Sequence, residues 1–134
     1  MNNKQQGFTL IELIVVIVLL GILGVTALGK FQNLSGDARQ ATVEGIATEI
    51  IGGSNINYAR SLIGTPDVVL DSTDAEICDA ATINGLLTQN LSGYTVGGTA
   101  TCADTDSGVV VSCTLTDDAD ATATTSFTVV CTGS

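Results

Sequence analysis

Glu12 is the only charged residue in the apolar run from 8 to 28, and four cysteines, Cys78, Cys102, Cys113 and Cys131, lie in the second half of the chain. A carboxylate inside an apolar helix needs a cation beside it in a dry place; without one it snorkels to the membrane interface. The cysteines are separated by 24, 11 and 18 residues, so none forms a Cys-x-x-Cys metal pair. They are read as disulfides of an oxidising compartment, with three connectivities open. Asp104-Thr105-Asp106-Ser107-Gly108 has the alternating carboxylates and turn glycine of half a calcium loop but lacks the distal bidentate Glu. It reads first as a solvated turn. No metal or cofactor is expected; Asp104 and Asp106 are the weak candidates, and calcium is the ion they would take. The absence of histidine excludes histidine-based triads, imidazole bases and His-containing zinc sites. No Gly-x-Ser-x-Gly or Ser-x-x-Lys is present and the remaining acids sit in turns, so the chain is not expected to be an enzyme.

The elements that position these groups follow from a split in composition. Mean hydropathy is +0.44 although the net charge is −10. The two values belong to different halves: residues 1–60 hold all four bases (Lys4, Lys30, Arg39 and Arg60) and four acids, whereas residues 61–134 hold ten acids and no base. An acidic head does not suit a phosphate backbone, and no nucleic-acid site is evident. The 21 residues from 8 to 28 make about 32 Å of helix, enough to cross a bilayer. No Ala-x-Ala follows this stretch, as a cleaved signal peptide would require, and Lys4 ahead of it predicts a cytoplasmic N-terminus. Helical periodicity continues beyond it. Phe31, Leu34, Ala38 and Ala41 form one stripe, and Val43, Ile46, Ala47, Ile50 and Ile51 begin a second. The predicted helix reaches about Leu62, with a weak point at Gly52-Gly53 and an end near Gly64-Thr65-Pro66.

Gly7-Phe8-Thr9-Leu10-Ile11-Glu12, opening a long apolar helix after a short hydrophilic leader, resembles the class III signal of type IV pilins. Lys30-Phe31-Gln32-Asn33-Leu34 followed by Asp37-Ala38-Arg39, with a Cys-bearing C-terminal strand, looks most like the mannose-sensitive haemagglutinin pilins. The resemblance implies cleavage between Gly7 and Phe8 by a prepilin peptidase and N-methylation of the new Phe8 amine. It also implies that Glu12 meets the Phe8 ammonium of a neighbouring subunit during assembly. That pair would act as a register device more than as glue, because its desolvation offsets its attraction. Family members often carry a proline in this helix, but the only proline here is Pro66. Gly21, Gly24 and Gly29 punctuate the region instead. Each costs about 1 kcal/mol of helix propensity relative to Ala, and each suits either close helix packing or, by resemblance, local melting in the filament.

The organisation expected is therefore a leader at 1–7, a membrane-spanning and filament-core helix at 8–29, and an amphipathic helix with an acidic globular head at 30–134. The fold class is α+β: a long N-terminal helix, half in the membrane and half packed on the head, with a C-terminal antiparallel sheet of about four strands. The strand runs are Tyr94-Thr95-Val96, Thr99-Ala100-Thr101-Cys102, a run from Val109 to Leu115, and a run from Ser126 to Cys131, separated by Gly97-Gly98, the 104–108 turn and Asp117-Asp118-Ala119-Asp120. Val109, Val111, Leu115, Phe127 and Val129 are expected to pack on the helix. Val68-Val69-Leu70 reads as a short strand, and Thr73-Asp74-Ala75-Glu76 as a capping box opening a short helix through Ile77, Ala80, Ala81 and Leu86. If the last hairpin turns near Thr122, Leu115 faces Val129 and Cys113 faces Cys131. The haemagglutinin-type resemblance agrees, and the favoured pairs are Cys113 with Cys131 and Cys78 with Cys102.

The function expected is a structural subunit of a type IV pilus serving surface adhesion. Its partners would be further copies of itself, the prepilin peptidase and assembly machinery, the inner membrane before assembly, and an unidentified surface receptor. The competing readings are a type II secretion pseudopilin and a single-pass anchored protein that never assembles.

Overall fold

The computed structural model describes residues 7–70, 76–103 and 105–133. The chain divides into two compact units, Met1–Ser35 and Gly36–Ser134, and the 52-residue helix α1 (Leu10–Ser61) contributes to both. In the first unit its apolar side chains are exposed from Leu10 through Phe31 and Leu34. In the second, Val43, Ala47, Ile50, Ser54 and Asn57 recur at alternating spacings of four and three and are all buried, which is the stripe one helix face presents. Ile46 and Ile51 lie half-buried at its margins. Phe31, Leu34, Ala38 and Ala41 do not join it. The stripe therefore runs on into polar residues, because Ser54 and Asn57 carry hydrogen bonds instead of apolar contacts.

The helix runs through Gly52-Gly53 uninterrupted and closes after Ser61. Thr65 N–H donates to the Arg60 carbonyl (3.0 Å) and Gly64 N–H to that of Ser61 (3.0 Å). Gly64 sits at φ 78°, the left-handed position such a closure requires. Asn57 holds the return loop by donating from Nδ2 to the Val68 carbonyl (2.7 Å) while its Oδ1 accepts from the N–H groups of Asp67 (2.8 Å) and Val68 (3.0 Å). Val68-Val69-Leu70 is not a strand. Leu70 instead exchanges two hydrogen bonds with Thr132, accepting from its N–H and donating to its Oγ1.

A short helix, α2 (Ala80–Gly85), follows. Its cap is Asp79, whose Oδ1 accepts from the N–H groups of Ala81 (2.7 Å) and Thr82 (3.0 Å). The expected box at Thr73-Asp74-Ala75-Glu76 therefore does not open it, and Thr73, Asp74 and Ala75 lie outside the described residues.

Among the described residues the sheet has three strands, β1 (Tyr94–Gly97), β2 (Val110–Asp117) and β3 (Asp120–Val130), antiparallel in the order β1-β2-β3. The expected strand at Thr99-Ala100-Thr101-Cys102 is absent. At Gly97-Gly98 the chain leaves the sheet, with Gly98 seated against the Cys78 sulfur and the Cys113 backbone, and the residues that follow carry Cys102 to Cys131. Leu115, Phe127 and Val129 point inward onto the helical stripe and are buried, with Leu70, Ile77, Ile83 and Leu91 completing the core. Val109 is 45% exposed. It precedes β2 and donates to the Asp106 carbonyl at the turn (2.8 Å), so it does not reach the helix.

The disulfides are Cys78–Cys113 and Cys102–Cys131, with Cα separations of 5.5 and 5.7 Å; the pairs Cys113–Cys131 and Cys78–Cys102 are wrong. The cause is register. The hairpin turns at Asp118-Ala119, not near Thr122, and Cys113 stands opposite Phe127 and Leu115 opposite Thr125. Cys131 is four residues further along, about 13 Å away, well beyond disulfide reach. Because four is even, the slip keeps every side chain on its face, and inward alternation cannot tell the two registers apart. The loops closed by the native pairs span 35 and 29 residues, worth roughly 4 kcal/mol each in a chain-entropy estimate.

Helix α1 also satisfies the outer edge of β3: Gln40 Nε2 donates to the Thr124 carbonyl (3.1 Å) and Ser54 Oγ accepts from Val130 N–H (2.7 Å). At the hairpin end, Asp117 accepts from Ala119 N–H (2.8 Å) and from Arg39 Nη1 (3.0 Å). The Ala119 bond, with the Arg39 guanidinium beside it, holds the Asp117 carboxyl below the usual carboxylate range. Asp120 is lowered by the hydroxyl and N–H of Thr122. Carboxyls depressed in the folded state contribute stability above their unfolded pKa, near 4, and lose it as pH falls through the folded values. The urea midpoint is therefore expected to hold between pH 7 and 5 and fall below about pH 4. In Asp117→Asn that acid limb should flatten; an unchanged limb would count against the assignment.

Candidate assembly site

Gly7, Phe8 and Thr9 precede α1 in non-helical conformation. Phe8 is 91% exposed and nothing lies within 4 Å of the Gly7 side-chain position. The residues on both sides of the peptide bond between them are exposed. Met1 to Gln6, including Lys4, lie outside the described residues.

Thr9 and Glu12 form a reciprocal capping box. Thr9 N–H and Oγ1–H each donate to Glu12 Oε2 (3.0 Å), and Glu12 N–H donates to Thr9 Oγ1 (3.4 Å). This satisfies N–H groups that a helix start leaves unpaired. Thr9 is the residue missed from the sequence, although its signal is present there: the Thr-x-x-Glu spacing read at Thr73 and Glu76 also occurs here, directly before an apolar run. The box fixes the Glu12 carboxylate at the first turn, four residues along the chain from Phe8. A carboxylate so held can accept a cation without first being ordered.

From Leu10 to Leu34 the large apolar side chains of this unit are exposed among the described residues. Helix α1 is long and apolar enough to cross a membrane. Leu10, Ile11, Leu13, Val25 and Leu28 are each more than 60% exposed. Gly21, Gly24 and Gly29 lie within the unbroken helix, with open space where a side chain would project. Thr26 Oγ1 donates back to the Leu23 carbonyl (3.0 Å).

Of the metal candidates, Asp104 lies outside the described residues. The Asp106 carboxylate accepts from Ala103 N–H (2.8 Å), an arrangement that closes the turn. Among the described residues, no three His, Cys, Asp or Glu side chains gather to hold a metal ion.

Comparison with known proteins points to the same segment. Residues 2–28 match a family described as the prokaryotic N-terminal methylation motif. The chain is 45% identical over 47 residues to the type IV narrow pilus major component PilA5 of Thermus thermophilus, covering 35% of this chain and 40% of that protein. It is 35% identical over 101 residues to fimbrial protein Q of Moraxella bovis, covering 73% of this chain and 62% of that protein. The chain thus spans less than two thirds of either relative's length. No solved structure matches. With its methylation motif, its pilus- and fimbria-named relatives and its long helix leading into an antiparallel sheet, the chain is similar to type IV pilins.

Proposed function

We propose that this protein is a structural subunit of a type IV pilus. In this reading residues 1–7 are a leader removed between Gly7 and Phe8 by a prepilin peptidase, and Phe8 is then N-methylated. Residues 8–29 hold the protein in the inner membrane and later form the filament core, and the head at 30–134 faces outward on an extracellular fibre. The observation that carries the proposal is the exposed apolar stretch of α1 whose one carboxylate, Glu12, is held by the N–H and hydroxyl of Thr9, the residue after Phe8. Cleavage supplies the missing cation, and the Phe8 ammonium of one copy meets Glu12 of the next. Exposed apolar area of this extent is stable only in lipid or against other copies. Gly21, Gly24 and Gly29 give the segment its flexibility during assembly. Surface adhesion, in the manner of the haemagglutinin-type pilins the chain resembles, is the finer part of the proposal.

Glu12 also caps its own helix, so the test must separate capping from pairing. Gln at the same position keeps a capping box and loses the charge. Cells carrying Glu12→Gln should therefore insert and cleave the protein yet show no surface filaments by electron microscopy of sheared material. Wild-type filament yield from Glu12→Gln would rule out the ammonium pairing.

A further inference from the structure

The two disulfides cross: Cys78 joins Cys113 and Cys102 joins Cys131, so neither pair is consecutive in the chain. Every consecutive pair closes a shorter loop. The separations are 24, 11 and 18 residues, against 35 and 29 for the native bonds. Loop-closure entropy rises with length, so unguided oxidation favours consecutive partners, and a head that crosses the membrane in N-to-C order presents its cysteines in that order. One consecutive pair has structural support of its own. The four-residue slip that sets Cys113 opposite Cys131 keeps Leu115, Phe127 and Val129 on the core face, so a slipped hairpin could bury nearly the same apolar side chains. A disulfide between Cys113 and Cys131 would lock it. All four cysteines are 3% exposed or less in the native head, so repair must come before packing is complete.

We propose that this protein matures through a Cys113–Cys131 locked, register-slipped hairpin, and that a thiol–disulfide isomerase of the oxidising compartment is an obligatory partner in its folding. Two disulfides form first, each passing two electrons and two protons to a dithiol oxidase. The rearrangement that follows is redox-neutral. An isomerase thiolate attacks the Cys131 sulfur, breaking the bond to Cys113 and forming a mixed disulfide. The freed Cys113 thiolate attacks the Cys78 sulfur of the Cys78–Cys102 bond, giving Cys78–Cys113 and releasing the Cys102 thiolate. Cys102 then attacks Cys131 in the mixed disulfide, giving Cys102–Cys131 and returning the isomerase thiolate.

The test is to export the full-length chain in bacteria that retain their periplasmic thiol oxidase, with and without their disulfide isomerase. Thiols are blocked on harvest, and the protein is cut with an aspartate-directed protease and mapped without reduction. Asp79, Asp106 and Asp117 separate the four cysteines into four peptides. Without isomerase, the native cross-linked peptides should be lost and replaced by Cys113–Cys131 and Cys78–Cys102; restoring it should bring the native pairs back. In Cys78→Ala/Cys113→Ala only Cys102 and Cys131 remain, and their pairing should be indifferent to isomerase. Native pairing at equal yield without isomerase overturns the proposal. So does a misoxidised pool dominated by Cys102–Cys113, or an isomerase requirement that persists in the double variant. None of these outcomes depends on whether the chain forms a pilus.

Discussion

Asn57→Ala is expected to lower the stability of the head by about 3 kcal/mol. Asn57 is 2% exposed and uses its amide in three hydrogen bonds to the backbone of Asp67 and Val68. Alanine leaves two N–H groups and one carbonyl without partners. Each such group costs about 1–3 kcal/mol when buried and less where water enters from the loop surface. The neighbouring Arg60–Asp67 ion pair cannot compensate, because both side chains are about half exposed and an exposed pair contributes about 0–1 kcal/mol. Asp67→Asn should therefore change stability little. Against a total of about 5–15 kcal/mol for a domain, the loss at Asn57 would remove between about a fifth and about three fifths of the head's stability. Urea unfolding of the full chain in detergent, followed by near-ultraviolet circular dichroism, measures both variants. Equal effects at Asn57 and Asp67 would show that the loop is held by charge and not by the amide.

Gly53→Ala is expected to destabilise the head by about 2–3 kcal/mol, whereas Gly52→Ala should stabilise it by up to about 1 kcal/mol. The two glycines are adjacent in the same helix and differ only in what they meet. A Cβ on Gly53 would lie 2.2 Å from the Leu86 carbonyl oxygen, while one on Gly52 would have nothing within 4 Å. Leu86 is the C-cap of α2, so relief requires backbone to move, not a side chain. Alanine recovers about 1 kcal/mol of helix propensity at either site, and at Gly53 the overlap outweighs it. The same unfolding assay decides, through the sign of the difference between the two variants. If both were stabilising, α2 would not be seated on the helix as described.

Gly52-Gly53 shows where sequence reasoning stops. A glycine pair within a helix reads as a weak point because propensity is local, yet Gly53 is required by a carbonyl more than thirty residues away in the chain. Asn57 is equally silent in the sequence, one polar residue beyond a stripe whose apolar members end at Ile51. The hairpin is the sharper case. Its alternation is correct on both strands, but a period of two is unchanged by any even slip. What selects the register is the turn, where Asp117 accepts from Ala119 N–H and Asp120 from Thr122 N–H, together with the seating of Phe127 in the core. The Asp-rich turn is visible in the sequence; that it outweighs a turn at Thr122 is not.

By itself, then, the sequence determined the properties that depend on neighbours within a few residues: the apolar helix, the lone carboxylate at its start, the N-terminal methylation motif, and the change from helical to strand period that makes the fold α+β. Hydropathy and periodicity are local, so one strand of text carries them. Tertiary structure alone decided the strand register, the crossed disulfides, the Asn57 amide that holds the return loop and the glycine that admits α2. Each of these is a choice among arrangements with nearly equal local energies, settled by which of them packs a single core with its polar groups satisfied.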